Sequence, residues 1–340
     1  MKVAIITDQH FGARNDSLHF LDFYEKFYDE TFFPAIDSAG INTVLILGDT
    51  FDRRKYVNFY SLQRAKKMFF GKLAARDIKV HMLVGNHDTY YKNTNDVNSS
   101  DLLLGEYGIT LNVIDHPSEI YVGPHKICMM PWICPENHED SLQTLKGTDA
   151  KFCMGHFEIA GFAMYRGMPS EGGLDRGIFR KFSHTFSGHY HHKSSSDDIY
   201  YLGNPYELTW QDYNDPRGFH LFDLDTHQLE FIENPNKMFH RIMYDDKVNT
   251  IKELDGMDRG RYSAPVGWLA ANGDGEFGIA LRCALIETDD RKTLRLFAGC
   301  GIVAGSNGES EVAESQAKFA AMKSALEQLA VFGWNCFPAS

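Results

Sequence analysis

The sequence predicts an α/β fold with two packed sheets, followed by a smaller C-terminal α+β segment. Short apolar runs alternate with longer amphipathic stretches through the first 84 residues, which is typical of strand–helix–strand units that form a parallel sheet. Later short runs of strand-forming residues, bounded by turns that contain Asn, Pro and Gly, predict a second sheet. From about residue 254 the pattern changes to a hairpin and one long helix.

Three strands and two helices account for the first 84 residues. Apolar runs at 2–7, 43–47 and 79–84 predict buried strands. Between them, residues 17–39 and 57–75 carry apolar side chains three or four positions apart, the spacing of amphipathic helices. Each crossover then returns the chain to a parallel neighbour, so the carboxyl ends of the three strands should share one edge of the sheet.

Shorter strands are predicted further along. They lie at residues 127–130, 152–154, 182–186, 200–202, 219–223, 228–232 and 240–244. We expect the last four to supply the second sheet.

The C-terminal segment has its own elements. Residues 263–269 and 277–286 predict a hairpin over a turn at 272–275. Residues 294–298 predict a further strand, and residues 309–329 predict a helix with one apolar face.

Size and composition exclude several classes of protein. A chain of 340 residues with 43% hydrophobic and 24% charged residues is ordinary for globular domains. It contains no apolar run of membrane-spanning length, and the apolar start is too short for a secretory signal, so we expect a soluble cytoplasmic protein. The net charge of −12 argues against coating nucleic acid by bulk electrostatics. The six cysteines form no Cys-x-x-Cys pair, which argues against a zinc knuckle.

Polar motifs follow the predicted strands. The first three end in Asp-x-His, Gly-Asp-x-x-Asp and Gly-Asn-His-Asp, and two later ones end in Gly-His and Gly-His-x-His. The side chains delivered are Asp8, His10, Asp49, Asp52, Asn86, His87, Asp88, His156, His189 and His191. Nitrogen and oxygen ligands without thiolate suit manganese, iron or zinc better than calcium. Two such ions about 3.5 to 4 Å apart can clamp a phosphodiester for in-line attack.

In this order, the five motifs resemble those of the calcineurin-like metallophosphoesterase superfamily. Residues 1 to about 245 more closely resemble its double-strand-break repair nucleases, the family of the SbcD-type enzymes and the recombination endonuclease subunit of T-even phages. The motifs at 203–205 and 214–219 fit the phage branch. The resemblance implies a four-layer α-β-β-α metallophosphoesterase sandwich over residues 1–247.

The resemblance also implies two manganese ions, with magnesium, iron or zinc as alternatives. One ion would be held by Asp8, His10, Asp49 and His191, and the other by Asp49, Asn86, His156 and His189. Asp49 would therefore bridge the two ions.

Three further residues receive catalytic roles by the same resemblance. His87 would steady the transition-state phosphate or protonate the leaving oxygen, because an imidazole can exchange a proton near neutral pH. Asp88 would orient His87 by accepting its second N–H. Asp52 stands where some relatives have a second catalytic histidine. Proton delivery and a merely supporting role, as a helix N-cap or a hydrogen-bond acceptor, remain open for it.

Two groups near these motifs have open interpretations. Arg53, Arg54 and Lys55 would contact the DNA backbone or form a solvated charged surface. Trp132 and the segment 157–165, with Phe162, Met164 and Tyr165, would stack on an unpaired nucleotide or belong to the core.

The implied activity is cleavage of DNA ends and nicking of single strands, in recombination and repair within a bacterial or phage-infected cell. The implied partners are DNA and an SbcC-like ABC-type ATPase subunit, with a homodimer as a further alternative. Two rival hypotheses are a phosphomonoesterase or cyclic-nucleotide phosphodiesterase on the same fold and a metal-free binding module.

Residues 254–332 resemble a fragment of a different family. The motifs at 273–282 and 297–303 are similar to the C-terminal part of isochorismate synthase-type chorismate-utilising enzymes. That resemblance implies magnesium binding by Glu311 and carboxylate binding by Arg282. Because only about the last quarter of that family is present, we expect no chorismate chemistry. A fusion or chimera is predicted, with its junction near residues 248–255.

Overall fold

The structure is a computed structural model. It describes residues 1–165, 168–170, 172–240, 265–269, 275–279, 282–286, 294–299 and 307–331. The chain divides into two compact units, Met1–Arg241 and Ile242–Ser340.

Two six-stranded sheets form the centre of the first unit. In chain order its strands are β1 Lys2–Ile6, β2 Thr43–Ile46, β3 Lys79–Leu83, β4 Leu111–Ile114, β5 Ser118–Val122, β6 His125–Met130, β7 Phe152–Gly155, β8 Ala163–Tyr165, β9 Met168–Pro169, β10 His184–Ser187, β11 Ser194–Ser196, β12 Ile199–Tyr201, β13 Gly218–Asp223 and β14 Gln228–Glu233. The first sheet has the order β14-β13-β1-β2-β3-β4 and the second β11-β12-β10-β7-β6-β5. β8 and β9 form a separate antiparallel pair.

The central strands of both sheets are parallel. β1 to β4 pair in parallel, as do β6, β7, β10 and β12. The edges are antiparallel, because β13 pairs with β1, β14 with β13, β5 with β6, and β11 with β12. The strand–helix–strand logic of the first 84 residues is confirmed.

Helices cover the outer faces of the two sheets. The helical segments are Leu18–Phe27, Tyr28–Phe32, Phe33–Ser38, Phe59–Ala65, Lys66–Phe70, Gly71–Ala74, Ser99–Leu104 and His138–Gly147, with short 3-10 turns at Gly105–Tyr107, Arg176–Phe179 and Trp210–Asp212. The first three are continuous, as are the next three, and each run contains one π-helical segment. Both predicted helices are therefore present, with an irregularity that periodicity did not reveal.

Three apolar cores separate the layers. Ala4 and Ile6 of β1 face the first helical layer, while Val3 and Ile5 face the second sheet, because side chains alternate along a strand. A third core, which includes Leu145, lies between the second sheet and helix His138–Gly147. The order helix, sheet, sheet, helix confirms the predicted α/β fold class.

The sheet predicted for two of the strands is wrong. Residues 219–223 and 228–232 were expected in the second sheet, but β13 and β14 extend the first sheet, where β13 lies antiparallel beside β1. The strand expected at 182–186 is His184–Ser187. Of the strand expected at 240–244, residues 241–244 lie outside the described residues.

The described residues of the second unit form two antiparallel strand pairs and a helix. Its strands are β15 Pro265–Leu269, β16 Gly275–Ile279, β17 Arg282–Ile286 and β18 Leu294–Ala298, and its helix is Gly308–Val331. β15 pairs with β16, as the predicted hairpin requires, but the second predicted strand is divided into β16 and β17. The residues of the turn before Gly275 lie outside the described part. The predicted C-terminal α+β segment is confirmed.

No helix among the described residues is sufficiently long and apolar to cross a membrane.

Candidate metal centre

All seven predicted metal ligands converge at one edge of the two sheets. β1, β2 and β3 are parallel neighbours, as are β7 and β10 in the facing sheet, so the loops at their carboxyl ends meet. Among the described residues, three groups of potential ligand atoms within 4.8 Å of one another form there: a first group Asp8–His10–His191, a second group Asp49–His156–His189, and a third, His10–Asp52–His87, which shares His10 with the first. Asn86 joins the second group through its amide oxygen.

The first group is closely spaced. The Nε2 atoms of His10 and His191 lie 3.1 Å apart, and His191 Nε2 is 3.8 Å from Asp8 Oδ1. Asp49 Oδ2 is 3.9 Å from His10 Nε2. These four side chains are the set predicted for one ion.

The second group shares Asp49 with the first. Asp49 Oδ2 is 3.3 Å from His156 Nε2, and Asn86 Oδ1 lies 2.9 Å from both His156 Nε2 and His189 Nδ1. One carboxylate oxygen therefore faces both groups. This is the position that a bridging ligand requires.

The backbone is strained at four of the predicted ligands. Asp8, His10, Asp49 and His189 have φ values of 51°, 46°, 52° and 80°. Residues other than glycine rarely adopt this left-handed region, and such strain concentrates at functional sites. Asp8 and His10 both reach the site, but not through the extended conformation that alternation along a strand would give.

Two glycines allow the loops to approach this closely. A Cβ atom at Gly85 would lie 2.3 Å from Asp49 Oδ1, and one at Gly188 would lie 2.9 Å from Asp8 Oδ2. Any side chain at either position would displace a candidate ligand. The glycines of two motifs are therefore steric requirements of the site.

Asp52 supports two imidazoles at once. Its backbone carbonyl lies 2.6 Å from His87 Nδ1, and a carbonyl only accepts, so Nδ1 must donate. Its carboxylate Oδ1 is 3.4 Å from His10 Nδ1. The His87 and His10 rings are 4.9 Å apart, and the His87 backbone N–H donates to Asp49 Oδ1 at 2.7 Å.

The hydrogen-bond partner predicted for Asp88 is wrong. Its fully buried carboxylate accepts backbone N–H groups from Thr50 at 3.0 Å, Phe51 at 3.1 Å and Gly85 at 2.9 Å, not the N–H of His87. The Asp52 carbonyl orients His87 instead. Burial and the nearby Asp49 raise the pKa of Asp88 to about 7. Asp88 therefore ties the loop after β2 to the loop after β3.

The hydrogen-bond pattern fits a bound cation. His156 Nδ1 lies 2.7 Å from the Leu47 carbonyl oxygen and must donate to it, so the Nε2 of the neutral ring carries a lone pair. That lone pair faces the Asn86 and Asp49 oxygens, which are also acceptors. A proton or a cation is needed between these acceptors. Imidazole, carboxylate and amide ligands are suitable for manganese, iron or zinc.

The pKa values of the imidazoles also indicate that the site attracts positive charge. Burial opposes protonation of His156, but the Asp49 and Asp8 carboxylates raise its pKa to about 9. Burial and the neighbouring His156 lower the pKa of His189 to about 3. The buried carboxylates thus favour positive charge at His156, whereas burial and the neighbouring His156 disfavour it at His189.

The basic run after Asp52 divides into different environments. Arg53 pairs with Asp16 at 3.2 Å, donates to Asn15 at 2.6 Å and lies over the Tyr56 ring. Arg53 is therefore a structural cation, whereas Lys55 is exposed.

Phe162 belongs to the core and offers no surface on which a base could stack. It is 3% exposed, and its ring lies 4.9 Å from that of Tyr201.

Arg217 supports the site and was not identified from the sequence. It is 3% exposed and donates to the His191 carbonyl, to Asn204, to Asp212 at 2.9 Å and to Asp215 at 2.7 Å. It therefore fixes the loop that carries His191. The polar turn at 214–219 is one of the motifs that carry the resemblance to the phage branch. It contains Arg217, but the resemblance assigned this residue no role.

Comparison with known proteins supports both resemblances. Residues 1–193 match the model of the calcineurin-like phosphoesterase family, and residues 244–327 match that of chorismate binding enzymes. Exonuclease subunit 1 of Enterobacteria phage T4 is 35% identical over 247 residues, which cover 72% of this chain and 71% of that protein.

The C-terminal matches cover little of their relatives. Isochorismate synthase MenF of Bacillus subtilis is 49% identical over 79 residues, which are 23% of this chain and 16% of that protein. The salicylate biosynthesis isochorismate synthase of Pseudomonas aeruginosa is 47% identical over 82 residues, 24% of this chain and 17% of that protein. The chain therefore spans about one sixth of the length of each synthase.

Proposed function

Because the chain belongs to the calcineurin-like phosphoesterase family, we propose that it is a two-metal phosphodiesterase that cleaves DNA. Enzymes of this family depend on a dinuclear metal site, and two manganese ions are the proposed pair here. The proposed ligands are Asp8, His10, Asp49, Asn86, His156, His189 and His191.

The observation that supports this proposal is the position of Asp49. Its Oδ2 atom faces His10 at 3.9 Å and His156 at 3.3 Å, while its Oδ1 atom accepts from the His87 backbone. A single carboxylate thus lies between two ligand groups and beside the proposed acid.

The surrounding residues suggest a division of labour. Bound divalent ions would stabilise the charge of the phosphate and lower the pKa of a water molecule. The Asp52 carbonyl holds His87 Nδ1–H, which leaves Nε2 to carry the proton that a protonated ring gives to the leaving oxygen. Asp88 holds the two loops on either side of Asp49 and His87 in place.

The substrate and partner are proposed from the phage relative. Its name describes a subunit of an exonuclease, which supports action on DNA ends in recombination and double-strand-break repair. We also propose an SbcC-like ABC-type ATPase as the companion subunit and the cytoplasm as the location. The partnership is tested by co-purification. Such an ATPase should be recovered together with the tagged full chain and not from a control without the chain, and failure to recover it would contradict the partnership.

The decisive experiment compares His87→Ala with wild type. With manganese and linear duplex DNA, the variant should lose about 10²- to 10⁴-fold in cleavage rate, the usual contribution of one acid–base group, while its manganese content remains unchanged. His116→Ala is the matched control. Because His116 is 64% exposed, this variant should cleave DNA at the wild-type rate. Equal cleavage by His87→Ala and wild type would refute the proposed acid.

A second assay separates DNA cleavage from the rival activity. The ligand set alone does not determine the substrate, so turnover of duplex DNA is compared with turnover of p-nitrophenyl phosphate. The proposal requires DNA to be the better substrate. A preference for the monoester would favour a phosphomonoesterase.

We propose no chorismate chemistry for the C-terminal segment. The aligned region covers only 16% of the synthase. Incubation with chorismate and magnesium should yield no isochorismate, and its formation would overturn this conclusion.

A further inference from the structure

We propose that Trp132 is a base-stacking platform, and therefore a specificity-determining residue that makes the site select nucleotides over other phosphodiesters. This inference rests on the proposed function, because it assigns the substrate class of the same site. It begins from the aromatic rings beside the second ligand group.

Among the described residues, two aromatic rings other than those of histidine lie beside His189. The Trp132 ring is 5.1 Å from the His189 ring and 6.1 Å from the His156 ring. The Tyr190 ring is also 5.1 Å from His189, but Tyr190 is 2% exposed and stacks on Tyr201 at 4.6 Å. Trp132 is partly exposed, so it can offer a ring surface to a ligand.

The backbone of Trp132 is held by three hydrogen bonds. Its N–H donates to the Val84 carbonyl at 2.8 Å. Its carbonyl accepts from Asn95 Nδ2 at 2.8 Å and from Asn137 Nδ2 at 3.0 Å. Both asparagines are buried, and Asn137 also accepts from the Cys134 backbone at 2.9 Å. A backbone fixed in this way loses little conformational entropy when a ligand binds to the side chain that it carries.

The location matches what a nucleotide needs. A phosphate held between the two ligand groups has its base one sugar away, and an indole face beside His189 lies within that reach. Stacking of one base on an aromatic side chain contributes about 1 to 3 kcal/mol and tolerates any base. Trp132 would therefore select nucleotides without selecting a sequence.

The alternative is that Trp132 only packs against the imidazoles. The two roles predict different kinetics. A packing residue affects every substrate and the metal content alike, whereas a platform affects only substrates that carry a base.

The test uses ester pairs that differ only in the nucleoside. Thymidine 5′- and 3′-(p-nitrophenyl phosphate) are each compared with methyl p-nitrophenyl phosphate, which has the same leaving group and no base. Wild type should prefer at least one thymidine ester. In Trp132→Leu that preference, measured as the ratio of kcat/KM values, should fall about 5- to 150-fold through KM, with the methyl ester and manganese content unchanged.

Two further variants sharpen the kinetic test. Trp132→Phe retains a ring and should keep most of the preference. Trp210→Leu removes a 62% exposed tryptophan that packs on Phe239, and it should behave as wild type. The proposal would be overturned by an unchanged ratio in Trp132→Leu. A parallel loss of kcat/KM on the thymidine and methyl esters, or a loss of manganese, would also overturn it.

A binding measurement decides independently of turnover. The chain has four tryptophans, and oligothymidylate added without metal should quench wild-type tryptophan emission but quench that of Trp132→Phe less. Absence of any difference would overturn the platform. Wild type that binds and quenches but hydrolyses no ester would refute the proposed function and leave the platform supported.

Discussion

The two units differ in how much of a functional site each contains. In Met1–Arg241, loops from both sheets bring every predicted ligand to one edge, together with His87 and its supporting groups. The match of residues 244–327 is comparably specific in sequence, yet it spans about one sixth of the synthases it resembles. A specific motif identifies ancestry, whereas chemistry requires the full set of groups around one point.

The strongest test of this difference substitutes one acidic residue in each unit. Asp49→Asn removes the proposed bridging charge, so manganese-dependent DNA cleavage should fall to background. Glu311→Gln removes the residue matched to a magnesium ligand in the synthases and should leave the rate unchanged. Initial rates on linear DNA measure both. Comparable losses in the two variants would mean that the second unit participates in cleavage.

The free energy of unfolding should fall by different amounts when one basic side chain is replaced in each unit. Arg217 is buried among Asp212 and Asp215, so Arg217→Met leaves carboxylates unpaired and should cost about 3 to 5 kcal/mol. Lys318 pairs at 2.5 Å with Glu314, which is 54% exposed, one helical turn away, and donates to the Gly299 carbonyl at 2.7 Å, so Lys318→Met should cost only about 1 to 2 kcal/mol. Urea denaturation measures both. Equal costs would remove the distinction.

The pH dependence of stability tests whether the first unit has a closed core. His220 in β13 is 3% exposed, and burial, with the nearby Lys193, lowers its pKa to about 3. Because the unfolded chain binds this proton below about pH 6.5, the contribution is complete above that pH and is lost as pH falls towards 3. The slope is about 1.4 kcal/mol per pH unit.

The matched variant for this prediction is His220→Phe. Between pH 7 and pH 5, wild type should lose about 2 kcal/mol relative to the variant, measured by denaturation at both values. Parallel pH profiles would show that His220 gains a proton without unfolding.

The smallest effect is expected from removing the second unit. We propose domains at 1–247 and 254–332, and a chain that ends at residue 247 should cleave DNA at the wild-type rate because it retains every proposed ligand. A large loss of cleavage with retained manganese would give the C-terminal segment a role in the nuclease.

The sequence predicted the site better than the sheet order. The ligands follow apolar runs directly, so local pattern and parallel crossovers place them together. The neighbours of β13 and β14 depend on pairing with β1 across more than 200 positions of sequence, and alternation of side chains carries no information about that partner. These two strands were therefore assigned to the wrong sheet.

Adjacency in sequence misled the assignment of hydrogen bonds. Asp88 follows His87 directly, but its backbone N–H turns back to the Gly85 carbonyl and its carboxylate faces backbone donors. The acceptor for His87 is a main-chain carbonyl of Asp52, 35 positions away. Every residue has a main-chain carbonyl, so the residue type at position 52 does not indicate this hydrogen bond to His87.

The central claim is that Asp49 joins two metal-ion sites. It is tested most directly by loading the purified chain with manganese, counting the ions by mass spectrometry and recording the electron paramagnetic resonance spectrum. We predict two manganese ions per chain with a spin-coupled signal, and loss of the coupling in Asp49→Asn. One ion per chain, or two uncoupled ions in wild type, would contradict the account.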